Sequence, residues 1–354
     1  MKNREIYYDQ LRALAIITII CCHVCCDFII LNPAIMTHFK TFYLISFFTL
    51  GRFVGIPIFV MLSGALLINK HYSLSEYVKK RFNRVFVPYI FWTIIFILFT
   101  LLVYKKELTS ELLFSIILGH HGTIGVILWF VWMIMVVYIA IFIINKVLDF
   151  GKSKYEHFES RFINILALLS LMIYILVNLG ILPYYGDFEY YMLFIPYAIL
   201  GYWLTHTDFK INSRYIVIIA ALISTIGYLY FTFSVDVASI SLNEFTAGSY
   251  FQFIVMIFTF CIILFFRHLP KDNRLSEKPF SSLIYSLSKC SFGIYFIHYL
   301  ILKFIQHMYL KKVHFSDHPL FWTPILLFLV FISSWALIVV MSKIPIIDRL
   351  SGSV

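Results

Sequence analysis

Charge is what this chain has least of. Asp, Glu, Lys and Arg make up 13% of its 354 residues, against about a quarter in a soluble domain. The remainder is 61% hydrophobic and includes 38 Phe and 24 Tyr. One soluble core has too little volume to hide that much apolar surface, so an ordinary water-soluble domain is excluded. A bilayer can hide it, but the backbone must then satisfy its own hydrogen bonds, which leaves helices or a closed barrel. The in–out alternation of barrel strands is also missing. Runs such as Tyr215 to Phe231, YIVIIAALISTIGYLYF, are apolar throughout and long enough to be helical spans. Cysteine is sparse as well, with six in all, four of them clustered as Cys21, Cys22, Cys25 and Cys26. With Cys261 and Cys290 these form no pattern of an extracellular disulfide framework. No internal repeat and no soluble domain is visible. The apolar stretch after Met1–Arg12 is itself span-length and lacks a small-residue cleavage site, so no cleavable signal is expected.

What is present reads as an all-α polytopic membrane helix bundle with about ten transmembrane helices and both termini cytoplasmic. The expected spans are 10–32, 45–69, 86–104, 126–146, 162–181, 190–206, 215–234, 249–266, 288–309 and 321–343. Leu112–Leu118 is apolar but too short to cross, which suits an interfacial or re-entrant piece. The longest polar stretch, Arg267–Lys289, is expected as a cytoplasmic loop.

The net charge of +10 follows this topology rather than marking a nucleic-acid partner. With the N-terminus inside, the outside segments hold only Lys40, Arg52, Lys105, Lys106, Lys303, Lys311 and Lys312. Every other Lys and Arg falls inside, about three times as many, as the positive-inside rule requires. The chain is therefore expected in the cell membrane, in contact with lipid, as one integral domain over residues 1–354. Nothing in the sequence specifies an oligomeric state.

Ionisable side chains inside spans are costly, and each asks for a reason. The first span carries Asp9, Arg12 and His23. Eleven residues on a helix are about three turns, so Arg12 and His23 share a face about 16 Å apart along the axis. Asp9 lies one turn before Arg12 and can pair with it. Two readings stand. Arg12 handles an anionic ligand from the cytoplasm while His23 acts as a base at depth; or the ion pair anchors the helix at the headgroups while His23 bonds a neighbouring helix. Cys22, His23 and Cys26 lie close in sequence, but one helix cannot close a tetrahedral site, and no metal is expected.

Beyond the first span, Gly55, Ser63 and Gly64 are small enough to let helices approach, or Ser63 lines a cavity. The basic run Lys79, Lys80, Arg81 and Arg84 meets anionic headgroups, or Arg81 and Arg84 clamp phosphates. In LWFVW, Leu128–Trp132, Trp129 is an interfacial anchor or a cavity wall. In SFGIYFIHYLI, Ser291–Ile301, Tyr295 and His298 fall one turn apart and line a cavity or bond across helices. His120, His121, His314 and His318 fall in outside loops.

Taken in order, these segments resemble the acyltransferase-3 family of membrane acyltransferases. Arg12 and His23 match its Arg, ten residues, His signature. The stretch around Ser63 resembles its FF-x-x-SG segment, with Phe59 and Val60 in place of the double aromatic. KRFNRVFVPY, LWF and SFGIYFIH are similar to its later segments. The resemblance implies an acetyl-CoA or other acyl-CoA donor on the cytoplasmic side and O-acylation of a carbohydrate acceptor, a surface polysaccharide or lipid-linked sugar. It implies His23 as the essential histidine, with Arg12, Arg81 and Arg84 serving the donor. With the residue readings above, the candidate site is His23, Arg12 and Asp9 as catalytic residues, Arg81, Arg84 and Ser63 for the donor, and Trp129, Tyr295 and His298 as cavity lining. Two other classes compete: an exporter of polysaccharide or lipid-linked sugar, favoured by broken helices and paired repeats, and a sensor or scaffold that binds no coenzyme.

Overall fold

A computed structural model gives the fold and describes residues 5–31, 54–120, 122–183, 186–208, 215, 218, 222, 253–269, 274–310 and 318–353. Every regular element among them is helical. In chain order these are α1 (Ile6–Leu31), α2 (Val54–Leu67), α3 (Leu74–Arg81), α4 (Val87–Leu102), α5 (Ser110–Leu118), α6 (Trp129–Lys152), α7 (Phe158–Asn178), α8 (Asp187–Met192), α9 (Ile195–His206), α10 (Phe253–Arg267), α11 (Phe280–Ile305), α12 (Pro319–Met341) and α13 (Ile347–Ser351). Five stretches among the described residues are long and apolar enough to cross a membrane: Ile6–Cys26, Leu74–Leu102, Ile124–Lys152, Phe158–Asn178 and Leu320–Met341. The protein is an all-α, polytopic membrane protein.

Several boundaries differ from the sequence expectation, each for a local reason. The helix that carries the third expected span begins at Leu74, ahead of 86, because α3 runs into α4 through a π turn at Phe82–Phe86. There the N–H of Val87 reaches back to the carbonyl of Phe82, one residue further than in an α-helix. The register shift falls just before Pro88, which has no N–H to donate and whose ring crowds the preceding turn. The sixth expected span, 190–206, is two helices, α8 and α9, with Pro196 in the first turn of the second. The helix that carries the ninth begins at Phe280, directly after Pro279, so part of the expected polar loop is helix. Leu112–Leu118 does form a short helix, α5, capped by Thr109, whose side chain accepts from the Leu112 N–H, and closed by Gly119 at φ 76°. The expected seventh span, 215–234, lies outside the described residues apart from 215, 218 and 222. So do 45–53 of the second and 249–252 of the eighth.

The chain divides into two compact units. One comprises Met1–Leu11, Phe53–Tyr77 and Met133–Glu277. In it α2 crosses α9 at glycines: a Cβ on Gly64 would lie 1.8 Å from the Ala198 carbonyl oxygen, and one on Gly201 2.2 Å from that of Met61. Only hydrogen at these positions permits the approach, which answers why SG stands at 63–64. Just past α2, a polar network replaces the missing helical bonds. The Asn69 N–H donates to Asn145 Oδ1 at 2.7 Å, and Asn145 Nδ2 donates to the Leu67 carbonyl at 2.8 Å. Asn69 Nδ2 and the Tyr202 hydroxyl both donate to Glu159 Oε1 at 2.7 Å, while Lys152 pairs with Glu159 Oε2 at 2.5 Å. Arg267, ending α10, donates to the Leu204 and Thr207 carbonyls that α9 leaves open.

The second unit comprises Arg12–Arg52, Val78–Trp132 and Lys278–Val354. Its α5 lies against the chain entering α6, where a Cβ on Gly125 would meet the Ile116 carbonyl oxygen at 2.4 Å. The Ile117 carbonyl, near the end of α5, accepts from both Tyr89 Oη (2.9 Å) and Trp132 Nε1 (3.0 Å). Helix α11 packs along α12 and against α4. The short α13 is buried at its end, where the Ser351 carbonyl accepts from Trp92 Nε1 at 3.2 Å and lies over Gly293 of α11.

Candidate active site

Two histidines from distant parts of the sequence meet inside the second unit. Helix α1 is apolar from Ala13 to Cys26 apart from Thr18 and His23, and His23 is half-buried. Helix α11 supplies His298 from a face buried almost continuously between Cys290 and Leu300. His298 is 0% exposed. His23 Nδ1 lies 2.7 Å from His298 Nε2, with ring centroids 5.0 Å apart and planes 5° from parallel. That combination means the rings meet edge to edge in nearly one plane, the orientation in which an N–H points along its acceptor's lone pair.

The backbone decides which nitrogen carries which proton. His298 Nδ1 is 3.0 Å from the carbonyl oxygen of Ile294, one turn back on its own helix. A carbonyl can only accept, so His298 Nδ1 holds a proton. In a neutral imidazole the other nitrogen, Nε2, is then bare and must accept, so the proton between the rings belongs to His23 Nδ1. This assignment leaves the lone pair of His23 on Nε2. The arrangement matches a positioned general base, whose tautomer is set by the hydrogen bond on its other nitrogen.

Aromatic rings enclose the pair. Tyr299 meets His23 edge-on, with centroids 5.4 Å apart and planes at 67°. Tyr295 lies 5.9 Å from His298 and donates its hydroxyl to the Ile127 carbonyl at 2.5 Å. Phe130 packs 4.9 Å from the Tyr295 ring. The Tyr295 bond holds α11 to the turn that opens α6, and so holds His298 in place one turn further along.

The other expected residues are placed as follows. Arg12 is half-buried and Asp9 buried, one turn apart on α1. Arg81, at the end of α3, is half-buried, and Arg84, in the π turn, is exposed together with Lys79 and Lys80. The Ser63 hydroxyl donates to the Phe59 carbonyl of its own helix at 2.9 Å. Trp129 is half-buried, and its backbone closes against Gly119. Of the four loop histidines, His120 and His318 are exposed; His121 and His314 lie outside the described residues. Cys21, Cys22 and Cys25 are buried and Cys26 half-buried in α1. Sequence reasoning had His23 and His298 in separate roles and missed Tyr299, Phe130 and Ile127. The only available signal was the Y-x-x-H spacing on α11, and no spacing rule joins residues 275 positions apart.

The fold and the site together define a polytopic helical membrane protein with a paired-histidine centre. A family model described as an acyltransferase domain matches residues 5–339. The chain belongs to the acyltransferase-3 family and is a membrane acyltransferase. No curated protein and no solved structure matches it.

Proposed function

We propose that residues 1–354 act as a single unit, a membrane O-acetyltransferase that moves an acetyl group from cytoplasmic acetyl-CoA to a hydroxyl of a surface polysaccharide or lipid-linked sugar. The observation that carries the reading is the 2.7 Å bond from His23 to His298, with the lone pair assigned to His23 Nε2. In this reading His23 Nε2 takes the proton of the acceptor hydroxyl as its oxygen attacks the thioester carbonyl carbon. The carbon–sulfur bond breaks, and the coenzyme A thiolate recovers the proton from His23. Through the step, the His23 Nδ1–H bond to His298 becomes charge-assisted and strengthens as positive charge forms on the ring. The same lone pair also suits a route in which His23 carries the acetyl group briefly before passing it on.

Donor binding falls to the basic residues. Coenzyme A is rich in phosphate, and guanidinium groups pair with phosphate oxygens in a two-pronged fit. Arg81 and Arg84 sit on the run expected at the cytoplasmic face, and Arg12 lies about 16 Å along α1 from His23, room for the extended arm of the donor. Ten spans, cytoplasmic termini and residence in the cell membrane complete the proposal.

The test is direct. Purified full-length protein should consume acetyl-CoA when a polysaccharide acceptor is added, and His23→Ala should abolish consumption while the protein remains monodisperse and binds coenzyme A. Undiminished turnover in that variant would remove His23 from the chemistry.

A further inference from the structure

Beyond the histidine pair, α11 carries a lysine that the acyl-transfer chemistry leaves unused. Lys303 follows His298 by five residues, about 7.5 Å further along the helix. It lies one turn from Tyr299, and its ammonium group sits 5.1 Å from the centroid of that ring. Tyr299 is the same ring that meets His23 edge-on at 5.4 Å. A buried tyrosine therefore lies beside both the candidate base and a half-buried cation.

We propose that Tyr299 and Lys303 form an acceptor subsite that selects a carbohydrate bearing an anionic group, a carboxylate or phosphate, close to the hydroxyl that is acylated. The proposal rests on the acetyl-transfer reading and names the substrate class of the same site. Three observations lead to it. Lys303 stands in the apolar stretch that follows His298 on α11, where a charge is costly, and such residues mark substrate paths. The charge count puts Lys303 among the few basic residues on the outer side, where an acceptor outside the cell would arrive, opposite to the donor's basic run. The geometry also has the scale of a sugar. The ammonium lies 5.1 Å and the imidazole 5.4 Å from the centre of one phenol ring, so a saccharide across Tyr299 can present a hydroxyl to His23 and an acidic substituent to Lys303. A phenol face suits the apolar face of a sugar, and the lysine supplies a charge-assisted bond that a neutral sugar cannot use. A lysine that only reaches for lipid headgroups would give no such preference.

The experiment uses full-length protein in phosphatidylcholine nanodiscs, titrated with a glucuronic-acid-containing disaccharide and with its neutral glucose counterpart. The wild type should bind the acidic disaccharide about tenfold more tightly, the ratio expected of one hydrogen bond to a charged group. Lys303→Met should erase the difference, Lys303→Arg should keep most of it, and Tyr299→Leu should weaken both disaccharides. Equal or undetectable binding of the two by wild type, or a preference that survives Lys303→Met, overturns the subsite. Repeating the titration in phosphatidylglycerol nanodiscs separates the two sources of anion. A Lys303→Met effect that appears only as altered phosphatidylglycerol binding assigns the lysine to lipid and also overturns it. Acetyl-CoA consumption is measured on the same preparations. Acidic preference without consumption leaves the subsite standing and removes the enzymatic reading; consumption without acidic preference does the reverse.

Discussion

His298 donates its Nδ1–H to the carbonyl of Ile294 at 3.0 Å and turns its bare Nε2 toward His23 Nδ1 at 2.7 Å. A main-chain carbonyl thus sets a tautomer on one helix and, through one imidazole, a second tautomer on another. The consequence is a lone pair on His23 Nε2, held in the plane of two coplanar rings.

Removing His298 should therefore damage turnover more than binding. In His298→Ala the Nδ1 proton of His23 loses its acceptor, the ring is free to take the other tautomer, and the imidazolium that forms is no longer stabilised. We expect turnover to fall by about 100-fold or more, within the range of misplaced acid–base catalysts, with KM for acetyl-CoA little changed. Steady-state kinetics beside direct coenzyme A binding provide the check. An equal loss of donor affinity would assign His298 to donor binding instead.

The basic run should act on the opposite parameter. Arg84 stands exposed in the π turn and Arg81 half-buried at the end of α3, and neither is expected to touch the reacting atoms. Arg84→Gln or Arg81→Gln should raise KM for acetyl-CoA about tenfold, the loss of one charge-assisted phosphate contact, with turnover at saturation preserved. The wild-type KM should itself climb with salt, and the variants should climb less steeply, because fewer ionic contacts remain to be screened. An unchanged KM in both variants would return the run to headgroup anchoring.

Much of this was legible from residue order, and the rest was not for definite reasons. Long apolar runs announced the spans, because lipid demands continuous helix. The positions of Arg12, His23, Ser63, Arg81 and His298 in ordered segments announced the family. Boundaries moved where proline acted through its neighbours: at Pro88 the helix continues through a π turn instead of starting, and near Pro196 it breaks. The pairing of His23 with His298 is tertiary. Each residue alone was compatible with a mere interhelical bond, and only the Ile294 carbonyl makes the direction of the proton readable.

Glycine at the crossing of α2 and α9 gives a prediction free of any functional reading. A Cβ on Gly64 would fall 1.8 Å from the Ala198 carbonyl oxygen, and backbone cannot step aside as a side chain can. Gly64→Ala should destabilise the protein by about 1–3 kcal/mol, the usual range for overpacking, or force the helices apart. Thermal unfolding in detergent, followed by tryptophan fluorescence, should show a lower midpoint. By contrast, Gly186→Ala, where an added Cβ meets nothing within 4 Å, should leave the midpoint nearly unchanged.

Glu159 tests whether the network beyond α2 is held by charge or by hydrogen bonding. Its Oε1 accepts from Asn69 Nδ2 and Tyr202 Oη, and its Oε2 pairs with Lys152. Both members of the ion pair are about one-third exposed, so the charge interaction alone is worth only about 0–1 kcal/mol. Glu159→Gln removes the charge but keeps an acceptor oxygen for Asn69 and Tyr202, and should cost little. Glu159→Ala leaves those two donors without their acceptor, while Lys152 keeps its bond to Asn69 Oδ1, and should cost about 1–3 kcal/mol, the penalty for an unsatisfied polar group. Unfolding midpoints of the two variants decide the matter. If Gln is as damaging as Ala, the charge pair with Lys152, rather than the shared acceptor, is what Glu159 contributes to the network.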